Sequence, residues 1–95
     1  MYSVYNAKIK FSYLGFKDEN SLCLYWQLGF TTEAGDYMTD KMYIKDTSCI
    51  SRILQVLSLR QWEDIPRKFA RIRVDDNGNV ISIGNLISNE WVELV

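Results

Sequence analysis

The sequence has no histidine, only two cysteines and a single proline in 95 residues. Without histidine, the side chain that most readily acts as a general base near neutral pH is missing, and every Ser/His/Asp or Cys/His arrangement goes with it. Cys23 and Cys49 stand 26 positions apart, so they form neither a CxxC redox pair nor a four-thiolate zinc site. One disulfide between them is compatible with the sequence; with no secretion signal, two reduced, half-buried thiols are the expectation. No GxGxxG, GxxxxGK[ST] or EF-hand loop occurs, so neither a nucleotide nor a calcium site is indicated and no cofactor is expected. No apolar run approaches the ~20 residues of a membrane span, and Met1-Tyr2-Ser3-Val4-Tyr5 lacks the charged-then-apolar pattern of a signal peptide. The expectation is a soluble protein with no membrane partner. Catalysis would rest on carboxylates, lysine, tyrosine or serine alone, so no enzymatic activity is expected.

Hydrophobic residues make up 47% of the chain and aromatics 14%, too much for a disordered polymer. At this length, surface scaling buries about 65% of the unfolded area, enough for one core. Neither repeats nor a Pro/Gly/Ser-rich linker divides the chain, which reads as a single domain over residues 1–95.

Residues 4–14 alternate with period two: Tyr5, Ala7, Ile9, Phe11 and Tyr13 are assigned to one face of a strand, Asn6, Lys8, Lys10 and Ser12 to the other. A polar connection at 15–20 leads to a second strand at 21–30. Its apolar face is Leu22, Leu24, Trp26, Leu28 and Phe30, with Cys23, Tyr25 and Gln27 behind. After a loop at 31–36, Tyr37 to Ile44 is a weaker strand because Asp40 and Lys41 interrupt its pattern. Asp46, Thr47 and Ser48 are candidate N-caps for a helix running to about Leu59, with Ile50, Ile53, Leu54 and Leu57 as its apolar stripe. Trp62 to Ile65 reads as a short turn halted by Pro66. A strand at 69–74 puts Phe69, Arg71 and Arg73 opposite Ala70, Ile72 and Val74. The turn Asp75-Asp76-Asn77-Gly78-Asn79 then returns the chain into a strand at 80–87, where Gly84 marks a bulge or a close backbone approach. A short strand at 91–95 ends the sequence. The expected fold is α+β: an antiparallel sheet of five to six strands with one main helix on one face, in the order βββαββ(β).

In its second half the chain resembles a family of small proteins encoded by phages, prophages and mobile elements of Gram-positive bacteria. The resemblance lies in Trp62-Glu63-Asp64-Ile65, in Phe69, Arg71 and Val74, in Ile83-Gly84-Asn85-Leu86-Ile87, and in Trp91, with an amphipathic helix ahead of this block. The chain departs from the family at Gly35-Asp36-Tyr37, where Gly-Gly-Tyr is common, and at Pro66-Arg67, where Gly-Lys is favoured. The resemblance implies a setting in the cytoplasm of a bacterial host. By analogy it also implies a non-catalytic accessory protein that binds and inhibits a host defence protein such as a CRISPR effector.

Charge is sorted along the chain: residues 1–17 carry +3, 18–46 carry −4, 47–74 carry +4 and 75–95 carry −4. Either one basic and one acidic surface results, or the strands cancel one another in the sheet, the plainer reading. Arg60, Lys68, Phe69, Arg71 and Arg73 are the candidate residues for the alternative role of a nucleic-acid-binding module, since a Phe–Arg–Arg stripe can stack on bases and grip phosphates. A net charge of −1 weighs against it, and pairing of Arg71 or Arg73 with Glu63, Asp64 or Glu90 is the simpler expectation. Asp18, Glu19, Glu33, Asp36, Asp40 and Asp46 can be read as a DNA-like row of negative charge or, more simply, as solvated loop acids. Trp26 and Trp62 are assigned to core packing. Tyr25 and Tyr37 are expected at the surface, where tyrosine favours recognition, and with Asp36, Asp40, Arg67 and Lys68 they form the candidate partner-binding set. An open edge in the first two strands would favour a homodimer. A further alternative, a sponge for a small signalling nucleotide, would show a deep aromatic pocket between protomers.

Overall fold

The computed structural model describes residues 1–16, 23–44 and 47–94. Leu22, Asp18, Glu19, Asp46 and most of the connection expected at 15–20 lie outside the described residues. The elements are β1 (Tyr2–Phe16), β2 (Leu24–Thr32), β3 (Gly35–Met38), β4 (Met42–Tyr43), α1 (Ser48–Val56), a 3-10 turn (Trp62–Asp64), β5 (Phe69–Asp75), β6 (Val80–Gly84) and β7 (Trp91–Glu93). All strands belong to one antiparallel sheet in the order β3-β2-β1-β5-β6-β7, with β4 also paired to β2.

Seven strands appear because the segment 37–44 is broken. Leu28 and Thr39 account for the break: the Thr39 amide donates to the Leu28 carbonyl (2.9 Å), and the Leu28 amide donates to the Thr39 hydroxyl (3.1 Å). The Gln27 side chain holds the Thr39 carbonyl (2.9 Å), so β3 and β4 are two pieces of one edge with Asp40 and Lys41 between them.

β1 serves two halves of the sheet. Its first part, Tyr2 to Lys8, pairs with β5; its later part, from Lys8 to Phe16, pairs with β2. A register shift between Ile9 and Phe11 leaves Lys10 as an extra residue. An extra residue reverses strand alternation. Ala7 and Ile9 therefore face the core beside Phe30, whereas Phe11 falls opposite Gly29 and Tyr13 opposite Gln27 on the far face. The single face expected for Tyr5, Ala7, Ile9, Phe11 and Tyr13 is thus divided at the bulge.

The core joins Ala7, Ile9, Trp26, Leu28, Phe30, Ala70, Ile72 and Ile83 from the sheet to Ile53, Val56, Leu57 and Ile65 from the layer above. Trp26 meets Trp62 edge-on at 6.2 Å, as expected of packing residues. Thr47 holds the N-cap position of α1 without a side-chain capping bond. The helix stops at Val56 rather than near Leu59 because Ser58 turns left-handed (φ 59°). The Ser58 amide then donates to Gln55 (3.1 Å) and the Leu59 amide to Leu54 (2.8 Å), a Schellman closure made with serine instead of glycine.

Candidate functional site

The helix covers one face of the sheet, and the other face carries the candidate site. Strand alternation sets its rows: Tyr2, Val4, Asn6 and Lys8 along β1 stand beside Asp75, Arg73, Arg71 and Phe69 along β5. Beyond them, Ser82 and Gly84 of β6 oppose Glu93 and Trp91 of β7.

Trp91 organises this end. Its ring lies on Gly84 so closely that a Cβ there would sit 2.7 Å from ring atoms, so glycine is required by contact. The Arg71 guanidinium lies 4.8 Å from the ring centre and that of Arg73 lies 3.9 Å away. Arg71 donates from Nε to the Asn85 carbonyl (2.8 Å) and from Nη2 to the Ser88 carbonyl (2.6 Å). Asn85 in turn donates to the Val56 carbonyl at the end of α1 (2.8 Å) and accepts from the amides of Ile87 and Ser88 (2.9 Å each). The residues Arg71, Gly84, Asn85 and Trp91, singled out as a motif, therefore build one structural cluster that ties helix, loop and sheet together.

Arg73 pairs with Glu93 at 3.1 Å rather than with Glu63, Asp64 or Glu90. Glu93 also accepts from the buried Ser82 hydroxyl (2.6 Å), and Tyr2 lies 5.1 Å from the Arg73 guanidinium. Phe69 has the Lys8 ammonium 5.9 Å from its ring centre. Among the nucleic-acid candidates, Phe69, Arg71 and Arg73 share this face, and Lys68 is exposed at its margin. Arg60 sits in the link between α1 and the 3-10 turn, away from them.

The partner-binding candidates are not brought together. Tyr25 is 9% exposed, a correction to its expected surface position: Tyr13, flipped by the Lys10 bulge, stacks on it at 4.9 Å, and Tyr43 lies 6.2 Å away. Lys41 also lies over the Tyr25 ring, at 5.6 Å. Tyr37 is half-buried on the core side, stacked on Tyr5 at 5.6 Å. That stack raises the Tyr37 hydroxyl above its usual pKa, first through the hydrogen bond with Tyr5 and then through desolvation. Asp36, on the helix-free face, pairs with Lys10 at 2.9 Å, and this bond chiefly holds its carboxyl below the usual range. Asp40 is exposed in the break between β3 and β4. Arg67 and Lys68 are exposed where the chain enters β5; the Arg67 amide donates to Ile9 (2.7 Å), and the Lys68 carbonyl accepts from the Ile9 amide (2.8 Å). Arg67 itself has φ 76°.

At the β1–β5 end of the helix-free face Tyr2, Val4 and Phe69 remain accessible, at 52%, 49% and 58% exposure, with Lys8 beside Phe69; Tyr13, Met38 and Tyr43 are exposed on the same face at its other end. Sequence reasoning gave Phe69 a role and passed over Tyr2 and Val4; their alternation with Ser3 and Tyr5 is the signal that places them on this face. A shallow notch of about 260 Å³ adjoins the row, lined by Val4, Tyr5, Asn6 and Glu33. Cys23 is exposed and Cys49 half-buried. Among the described residues no three His, Cys, Asp or Glu side chains are grouped to hold a metal ion, and no helix is long and apolar enough to cross a membrane. Comparison with protein-family profiles, with curated proteins and with solved structures finds no match to this chain.

Proposed function

We propose that the chain is a non-catalytic accessory protein of phage or prophage type that binds a bacterial defence protein, such as a CRISPR effector, and blocks it by occupying its surface. One observation carries the reading: an exposed, interrupted apolar row, Tyr2 and Val4 and then Phe69 beyond Asn6 and Arg71, on the sheet face opposite the helix. Exposed apolar and aromatic side chains are the usual anchors of protein recognition. The arginines behind the row are held by Trp91, Glu93 and backbone carbonyls, so they stiffen the face and leave the contact to the rings. The test is direct binding to purified defence effectors, comparing wild type with Phe69→Ala. At least tenfold weaker binding at an unchanged thermal midpoint supports the reading, and equal binding removes it.

The second reading, single-stranded nucleic acid on the same face, is favoured by Lys8 over Phe69 and by the arginine-on-ring contacts. Affinity for short DNA and RNA that falls steeply with salt would support it, and no binding at low salt would remove it.

A further inference from the structure

The Ile9 amide and carbonyl both serve the segment entering β5, bonding Lys68 and Arg67. A strand residue sends its amide and carbonyl to one flank, and successive residues alternate flanks. Tyr2, Val4 and Asn6 therefore turn their main-chain groups away from β5, toward the flank that β2 occupies from Lys8 onward. There β2 has already turned away: Thr32 accepts the Ala34 amide (3.0 Å) and donates to the Gly35 carbonyl (2.8 Å), closing the bend before Glu33 can pair with Asn6. The notch lined by Val4, Tyr5, Asn6 and Glu33 is the gap so formed, and its floor is an open strand edge. Among the described residues no partner bonds the main chain of Val4 or Asn6 on that flank.

Proteins guard such edges with charge, proline, bulges or brevity. Two other edges of this sheet are guarded. The β3–β4 edge is broken at Thr39 and carries Asp36, Asp40 and Lys41; the β7 edge is three residues long and includes Glu93. The Tyr2–Asn6 edge has no charge, proline or bulge, and its residues are Tyr, Ser, Val, Tyr and Asn.

We infer that this edge pairs with the same edge of a second copy, antiparallel about Val4, joining two sheets into one continuous sheet. In that register Val4 faces the second copy's Val4, and Tyr2 faces Asn6 on each side of the two-fold axis. All three send their main-chain groups across, giving roughly six hydrogen bonds with no like charges opposed. Val4 gains the second copy's Val4 as a cross-strand neighbour on the helix-free face, which stays open to a partner. A second copy fits better than a charged peptide because the edge is uncharged and complementary to itself.

Sedimentation and light scattering of the wild-type chain at concentrations up to about 0.5 mM test this. The expected mass is about 22 kDa, twice the 11.1 kDa of one chain. Val4→Pro removes only the outward amide and Val4→Lys adds a guarding charge on the exposed face; both are expected to sediment as monomers. Amide exchange in the wild type gives a readout independent of variant folding: Val4 and Asn6 are expected to slow as concentration rises, and Ser3, bonded within the chain, is not. Phe69→Ala should leave the mass unchanged, which separates this test from the partner-binding one. A monomeric wild type, a dimer that persists in both Val4 variants, or concentration-independent exchange at Val4 and Asn6 would overturn the proposal.

Discussion

Both halves of the sheet set an aromatic ring on a glycine of the next strand, then finish the surrounding surface in different ways. In the β1–β4 half, Phe11 lies on Gly29, and the neighbouring rings pack on one another, Tyr13 on Tyr25 and Tyr25 beside Tyr43. In the β5–β7 half, Trp91 lies on Gly84, and the neighbours are guanidinium groups instead. The difference shows where the basic stretch of the sequence goes. Arg71 and Arg73 cover a ring and satisfy carbonyls and a carboxylate, so local sheet pairing absorbs much of their charge before it can form a basic surface.

Removing Ser12 tests the facing that the Lys10 bulge sets and should have the largest effect. With Ser12 deleted, either the bulge stays and Tyr13 is carried opposite Leu28 on the core side, or the bulge is lost and Phe11 is carried there and leaves Gly29. Denaturant titration followed by tryptophan fluorescence should show a loss above about 4 kcal/mol or no cooperative transition. Lys10→Ala keeps the bulge and removes only the exposed pair with Asp36, so it should leave the denaturant midpoint nearly unchanged. Similar losses in the two variants would mean that the outward facing of Phe11 and Tyr13 carries little of the stability.

The two glycines sharpen the comparison. An added Cβ would lie 2.1 Å from the Phe11 ring at Gly29 and 2.7 Å from the Trp91 ring at Gly84. Distance alone ranks Gly29→Ala as worse. Trp91, however, is held under two guanidinium groups, whereas among the described residues no cation is stacked on Phe11. We therefore expect Gly84→Ala to cost about 2–3 kcal/mol and Gly29→Ala about 1 kcal/mol, read as shifts in the denaturant midpoint at constant slope. The opposite ranking would show that the guanidinium groups do not pin the ring.

Strand alternation made most of this architecture legible. Trp26, Leu28 and Phe30 point inward as their spacing indicates, Ala70 and Ile72 oppose Phe69 and Arg71, and Asp40 and Lys41 do mark a broken edge. The Lys10 bulge was not legible, because one inserted residue leaves an unbroken alternating string while reversing its sense. That single step explains much of the burial of Tyr25: the Tyr13 ring that stacks on it comes from a strand segment assigned to the other face. The site was legible only in part. Periodicity places Phe69, Arg71 and Arg73 on one face, but their partners Trp91, Glu93 and Asn85 arrive from β7 and the loop before it through long-range pairing.

Smaller gains are expected where non-glycine residues hold left-handed conformations, one beside each half. Ser58 closes α1 at φ 59°, and Arg67 leads into β5 at φ 76°. Ser58→Gly and Arg67→Gly should each stabilise by about 0.5–1 kcal/mol, the relief of positive φ exceeding the added freedom of the unfolded chain. A thermal midpoint lowered by both substitutions would contradict this.

The smallest effect is acid sensitivity, which separates the halves by mechanism. Asp36 is held below its ordinary 3.8 chiefly by the hydrogen bond from the Lys10 side chain, then by Thr31 and by the lysine charge. Asp75 is lowered chiefly by the backbone amide of Asn79, against some desolvation, with the Asn77 amide and the Asn79 side chain adding to it. Each folded-state pKa is depressed, so each contributes stability that is present above 3.8 and fades as pH falls through the lower folded value. Asp36 is exposed and Asp75 half-buried; the effect is small, but salt tells them apart. An ion pair between solvated side chains is screened once the Debye length shrinks from about 20 Å to about 4 Å, whereas short bonds from backbone amides are not. Asp36→Asn should therefore flatten the acid limb of the stability curve at low salt and change little at high salt. Asp75→Asn should flatten it at both. Equal salt sensitivity in the two variants would place long-range charge, rather than the turn's own amides, behind the Asp75 shift.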